Sequence, residues 1–242
     1  MGADVRRWSV TWWGRLPFAT VLVLVLLLWN NVLITLVPGG TAGRVGGNVA
    51  AAGVLVAAAR ATGSSWADLG LARRDAPAGL RWGGAAFVLV AAGYAAAFAL
   101  PATRPLLADA RVADLQAAEI AGDVLVRIPL GTVLWEEVAF RGVLLAVLTR
   151  VLSVRAASVV AAVVFGLWHV RPTMSGLDAN GLADGPLATA VAVALVCAGT
   201  AVAGLLFTWL RLRSGSLLAP ALLHLATNTL GTLAAVVAHR LT

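Results

Sequence analysis

The stretch 134–142 reads LWEEVAFRG and sets Glu136, Glu137 and Arg141 inside a run that is otherwise apolar. Two later stretches, FGLWH ending at His169 and HLATN running from His224 to Asn228, add two imidazoles and a carboxamide. A carboxylate can take a proton from water, an imidazole can shuttle one, and an amide N–H can hold an oxyanion. One Glu and two His also make a zinc set with an open position, so Glu136, His169 and His224 are candidate metal ligands. The same residues serve a metal-free mechanism, and Asn228, a poor zinc ligand, tilts the set toward water or oxyanion positioning. Residues four apart share a helix face. Glu137 therefore pairs with Arg141, whereas Glu136, about 100° round the helix, is left to face something else. His224 and Asn228 share a face, and Phe165 stands one turn from His169 as a wall.

The elements that position these groups are membrane helices. The chain has 242 residues, 60% hydrophobic and 12% charged. A soluble domain is usually about 45–50% apolar and about 25% charged. All 18 basic residues are Arg, and with a polytopic membrane chain the net charge of +7 is not a nucleic-acid signal. Heavy Ala, Val and Leu usage beside all-Arg basicity hints at a GC-rich bacterial source and hence a bacterial plasma membrane. Apolar runs bounded by Arg, Pro and Gly predict seven spans, at 16–37, 45–60, 82–100, 128–149, 155–171, 187–210 and 215–238. The first run is too long for the core of a cleaved signal peptide and reads as a retained helix. The 101–127 connector reads as a short amphipathic interfacial helix or a solvated loop helix. Eleven arginines fall in the N-terminus, the 60–81 connector, the 150–155 turn and the 211–213 turn, against six on the other side. That bias puts the N-terminus in the cytoplasm.

A charge near the bilayer centre costs about 2.5–3.5 kcal/mol on insertion scales, so three in two turns must be paired and inward-facing. Measured from flanking arginines at about 1.5 Å per residue, Glu136 and His169 each lie ~21 Å deep, with His224 at ~16 Å and Asn228 at ~22 Å. Three separate helices thus bring their polar residues into one slab. A single intramembrane His or Asn is ordinarily an interhelical hydrogen-bond partner; a matched set is not explained that way. His239, beside Arg240, reads as interfacial or solvated, and the Asn30–Asn31 pair as packing glue. Trp135 and Trp168 are read equally as cavity walls or as packing. Cys197, the single cysteine, reads as a small buried hydrophobe, which excludes an internal disulfide and a cysteine metal cluster.

In order along the chain, EExxxR at Glu136–Arg141, FxxxH at Phe165–His169 and HxxxN at His224–Asn228 resemble the three signature motifs of the CPBP family, the CAAX proteases and bacteriocin-processing enzymes also called Abi or Rce-type. GLLFTWLRLRSGSLLAPALLHLATN (204–228) and LGLARRDAPAGLRWG (69–83) are similar to family stretches as well. The resemblance covers roughly residues 66–235 within a single membrane domain, 1–242, and leaves 1–65 as two generic spans. It implies an all-α transmembrane bundle of the CPBP type. It implies also a glutamate-dependent or metallo-endopeptidase acting on a membrane-associated protein or peptide, in CAAX-type or leader-peptide processing. By that resemblance Glu136 activates water with His169, His224 and Asn228 bind the oxyanion or, for His224, a metal, and Glu137 and Arg141 hold the geometry. A non-catalytic bacteriocin-immunity or scaffold member of the family and a small transporter are the alternatives; no internal repeat supports the transporter. HExxH, GxGD and GxSG are absent, which speaks against the other intramembrane protease types.

Overall fold

The computed structural model describes residues 12–241, with side chains from residue 17 onward. Arg6, Arg7 and the Arg15 side chain, which enter the orientation count, lie outside the described residues. Among the described residues the chain is helical throughout, with no strand. Five helices are long and apolar enough to cross a membrane: Gly40–Ala61, Arg73–Ala99, Val154–Asn180, Pro186–Ser214 and Leu218–Leu241.

Two of the seven expected spans fall outside that set, for different reasons. Helix α1 (Trp12–Asn31) is described with its side chains over Pro17–Asn31. It stops before the expected residue 37 because a tight turn at Leu33–Leu36 leads into Pro38 and Gly39, the latter left-handed at φ 89°. Helix α2 consequently begins at Gly40, five residues before the expected start, and runs to Ala61. The other exception is the helical stretch 117–148. It opens as α4 (Ala117–Gly122), capped reciprocally by Gln116 and Glu119. It continues through two wide-turned π segments, Asp123–Leu134 and Glu137–Leu144, and closes as α5 (Leu145–Leu148). Its charges at Glu136, Glu137 and Arg141 break the apolar run, and Pro129 removes a backbone donor inside the first π segment. Such wide turns recur at functional positions in helices.

Helix α3 (Ala76–Ala99) carries Pro77 in its first turn, where the missing N–H costs nothing. The 101–127 connector forms short tight turns over 101–112, with helix resuming at Ala117. It is tied to α7 (Val170–Asn180), because Asn180 accepts from the Ala110 N–H and donates to Asp109. Arg111 beside Asp109 holds that carboxyl well below the usual carboxylate range. Helix α6 (Val154–Trp168) ends at His169, so α7 fills most of what reads in sequence as a loop. Helices α8 (Pro186–Ser214) and α9 (Leu218–Leu241) complete the chain.

The 117–148 stretch sits at the centre. Every residue from Trp135 to Leu148 is buried, in one core with Leu22, Leu26, Phe165, Trp168 and Leu217. Helix α2 packs on its first half, α6 packs along α8, and α3 along α9. Small residues allow these close crossings: a Cβ at Gly166 would strike the Cys197 carbonyl, and one at Gly83 would strike Leu222. Cys197 is buried and free, as the sequence suggests, and His239 is half-buried near the end of α9.

A clamp lies at the opposite end from the α1–α2 turn. Buried Arg211 donates to the carbonyls of Ala67 and Asp68, and the Leu217 N–H donates to Gly70. Gly70 is left-handed at φ 72°, and a Cβ there would collide with the Arg211 guanidinium. Left-handed backbone costs an L-residue about 1–2 kcal/mol, before the cost of displacing Arg211. Gly70→Ala is expected to lower the melting temperature in detergent by several degrees. Gly84→Ala, in open space, is expected to leave it unchanged.

Candidate active site

Glu136 and Glu137 are adjacent on the central helix, and their side chains take different partners. Glu137 is 1% exposed and its Oε1 accepts from Arg141 at 3.1 Å and from His224 Nδ1 at 2.8 Å. Arg141 is equally buried, and its guanidinium lies 3.9 Å from the centre of the Phe165 ring and 4.8 Å from that of Phe207. Burying a cation against aromatic faces and one carboxylate oxygen offsets part of its lost hydration. The pairing read from the i, i+4 spacing is therefore present, and His224 is a third member that the spacing on one helix could not reveal.

Glu136 turns to the other face. Its Oε1 accepts from the Trp168 indole Nε1 at 3.1 Å. Its Oε2 is enclosed, without a hydrogen-bond partner among the described residues. That oxygen stands 3.9 Å from His169 Nε2 and 3.8 Å from His224 Nε2. Both imidazoles are oriented from behind. His169 Nδ1 is 2.8 Å from the Phe165 carbonyl, which can only accept, so Nδ1 carries the proton. His224 Nδ1 donates to Glu137 in the same manner. Each ring consequently presents Nε2 to Glu136. Separations of 3.8 and 3.9 Å exceed a direct hydrogen bond and fall within what one water molecule bridges.

His169 occupies the break between α6 and α7, with φ −90° and ψ 5° and its N–H bonded to the Gly166 carbonyl. The helix change at this residue is held by α1. Asn30 donates to the Trp168 carbonyl at 3.0 Å, and Asn31 donates to that of Leu167 at 3.2 Å and accepts from the Arg171 N–H. The glue role of the asparagine pair is thus located: it fixes the backbone that carries Trp168 and His169. Phe165 is the expected wall, its ring 4.7 Å from the His169 ring. Trp168, which sequence reasoning left between wall and packing, is a direct donor to Glu136. Trp135 is buried between Trp29 and Trp168, ring centres 5.5 and 6.0 Å away.

Asn228 lies one turn beyond His224 on α9 and is half-buried. No hydrogen bond joins its carboxamide to Glu136, His169 or His224 among the described residues. Among those residues no group of three His, Cys, Asp or Glu side chains could hold a metal ion. Donor atoms on one zinc lie about 3.3 Å apart, closer than Glu136 Oε2 stands to either imidazole Nε2. A cavity of about 200 Å³ reaches Glu136 from the α1–α2 turn, walled by Asn48, Gly131, Trp135 and Trp168.

An enclosed carboxylate thus faces two oriented imidazoles in a bundle of apolar helices. Residues 123–230, which contain all three motifs, match the family described as Type II CAAX prenyl endopeptidase Rce1-like, a protease family within the CPBP group. The resemblance carried by EExxxR, FxxxH and HxxxN is thereby shown, over somewhat less than half of the chain. No curated protein and no solved structure matches.

Removing either partner of the Glu137–Arg141 pair strands a buried charge, at a cost of about 3–5 kcal/mol. Glu137→Ala and Arg141→Ala are each expected to lower the melting temperature in detergent and to reduce activity together. A thermal-shift assay giving wild-type values for both variants would contradict the role assigned to the pair.

Proposed function

We propose that the protein is an intramembrane endopeptidase that hydrolyses a peptide bond of a membrane-associated protein or peptide with water activated by Glu136. The observation that carries this reading is the enclosed, unpartnered Glu136 Oε2 facing two imidazole Nε2 atoms. In this mechanism a water held by Glu136 and His169 gives its proton to Glu136 as its oxygen attacks the scissile carbonyl carbon. The carbonyl oxygen becomes an oxyanion. His224, oriented by its Nδ1 contact with Glu137, and the Asn228 amide N–H stabilise it. The C–N bond then breaks, and the proton held on Glu136 passes to the leaving nitrogen. Trp168 fixes the carboxylate through Oε1, leaving Oε2 for water.

The protein acts in this reading as a single membrane domain of seven spans, with α1 and the charged central helix completing the five long apolar helices. Its N-terminus is cytoplasmic, its membrane a bacterial plasma membrane, and its substrate either a CAAX-type tail or a leader peptide. An immunity or scaffold role would not call for the oriented set of Glu136, His169 and His224.

Loss of a general base lowers rate by about 10²–10⁴-fold. Glu136→Gln is expected to lose cleavage of a membrane peptide by at least about a hundredfold while keeping the wild-type melting temperature. Equal cleavage by the two proteins would remove Glu136 from the mechanism. The same assay with a chelator is expected to leave the wild-type rate unchanged, and chelator-sensitive cleavage restored by zinc would replace the metal-free scheme. Trp168→Phe keeps the ring and removes the donor; a roughly tenfold fall in kcat with KM little changed is expected from the loss of one hydrogen bond to a charged group.

A further inference from the structure

Three indoles pack in sequence next to Glu136, and only the middle one lacks a hydrogen bond. Trp29 Nε1 donates to Asn48 Oδ1 at 2.8 Å, and Trp168 Nε1 donates to Glu136 Oε1 at 3.1 Å. Trp135 lies between them, its ring centre 5.5 Å from that of Trp29 and 6.0 Å from that of Trp168. Its side chain is 2% exposed, and its Nε1 is enclosed without a partner among the described residues. A buried tryptophan ordinarily brings its N–H to an acceptor, because an unpaired donor forfeits its hydration and gains nothing in return. Asn48 and Glu136 serve the indoles on either side and not this one.

Trp135 is also a wall of the cavity that ends at Glu136. Two further polar side chains line that cavity with a group left unused by the protein. Asn30 donates its amide N–H to the Trp168 carbonyl, which leaves Oδ1 as an acceptor. The Thr132 hydroxyl, on the central helix shortly before Trp135, is in no hydrogen bond among the described residues. A donor and two acceptors in one cavity match the backbone of an extended peptide, which offers a carbonyl and an N–H at every residue. Away from bulk water that backbone has to find its partners on the walls. Trp135 precedes Glu136 in the chain and shares its cavity. An extended peptide advances about 3.3 Å per residue, so it meets the free indole within about three residues of the bond at Glu136.

We propose that the Trp135 indole N–H binds a backbone carbonyl of the substrate within about three residues of the scissile bond, so that the cavity holds main chain whatever side chains it carries. This rests on the endopeptidase reading of the same cavity. Trp135 is a substrate-binding residue here and takes no part in activating water. Asn30 Oδ1 and the Thr132 hydroxyl accept from the N–H groups of the same stretch of chain.

The test is binding in non-ionic detergent on the Glu136→Gln background, so that bound peptide is not turned over. The probes are an acetylated apolar hexapeptide amide, AVLAVA, and the same chain with every internal amide replaced by an ester. The ester keeps the shape of the chain, weakens each carbonyl as an acceptor and removes each N–H. Recognition of main chain is expected to favour the amide chain by about tenfold or more. Trp135→Phe is expected to weaken the amide chain about fivefold and to leave the ester chain almost unchanged, which shrinks that preference. Replacing Trp135 by 3-benzothienylalanine, which has sulfur in place of the N–H in a bicyclic ring of similar size, is expected to do the same, and so separates the lost donor from lost packing. Equal binding of the two chains, a preference undiminished in both variants, or no binding of either probe would each overturn the proposal. The endopeptidase reading fails differently, by cleavage of a membrane peptide that survives Glu136→Gln.

Discussion

The structure depends on a single carboxylate oxygen, Glu137 Oε1, which takes a hydrogen bond from Arg141 and another from His224. One bond lies within the central helix and the other crosses to α9. In a low-dielectric interior neither the guanidinium nor the carboxylate is tolerable alone, so folding must bring them together. Arg141 pairs with Glu137 and lies against the rings of Phe165 and Phe207, and no ion pair joins it to Glu136. A free carboxylate with two imidazoles in front of it is the state a general base needs.

The division of labour between adjacent glutamates follows from helix geometry. Side chains one residue apart point about 100° from each other, so Glu137 faces α9 while Glu136 faces the junction of α6 and α7. The π segments around them widen the helix where these faces diverge. The α6–α7 junction is in turn immobilised from α1, by Asn30 and Asn31 on the carbonyls of Trp168 and Leu167. Thus α1, outside the matched family region, supports the backbone of His169. A site assembled from four helices is rigid because each contributes one constraint that another helix satisfies.

Periodicity and depth made much of this legible from the residues. The Glu137–Arg141 pair is a local i, i+4 fact, and the wall at Phe165 is another. The meeting of Glu136, His169 and His224 was readable because Arg residues at the ends of three spans act as depth marks. What stayed hidden was long-range or conformational. The His224–Glu137 bond spans 87 residues, and the Trp168–Glu136 bond spans 32. No spacing rule connects such pairs. The break at His169 carries its signal in Pro172, which has no N–H for the Trp168 carbonyl that Asn30 takes instead; the apolar run carried the expected end of α6 to residue 171, and α7 was not foreseen. The early end of α1 did carry a signal, Pro38 followed by Gly39, which the apolar run over 33–37 masked. The charged central helix is the one expected span whose Glu136, Glu137 and Arg141 keep it from passing as apolar by composition.

The claim on which the rest turns is that Glu136 acts on water and forms no covalent bond with substrate. A single turnover in ¹⁸O-water, followed by mass spectrometry of the product and of the protein fragment carrying Glu136, separates the two directly. Activated water predicts one ¹⁸O in the new carboxyl group of the product and none in Glu136. Label appearing in the Glu136 side chain would mean that the carboxylate itself attacks the substrate, and the water-activation mechanism would be wrong.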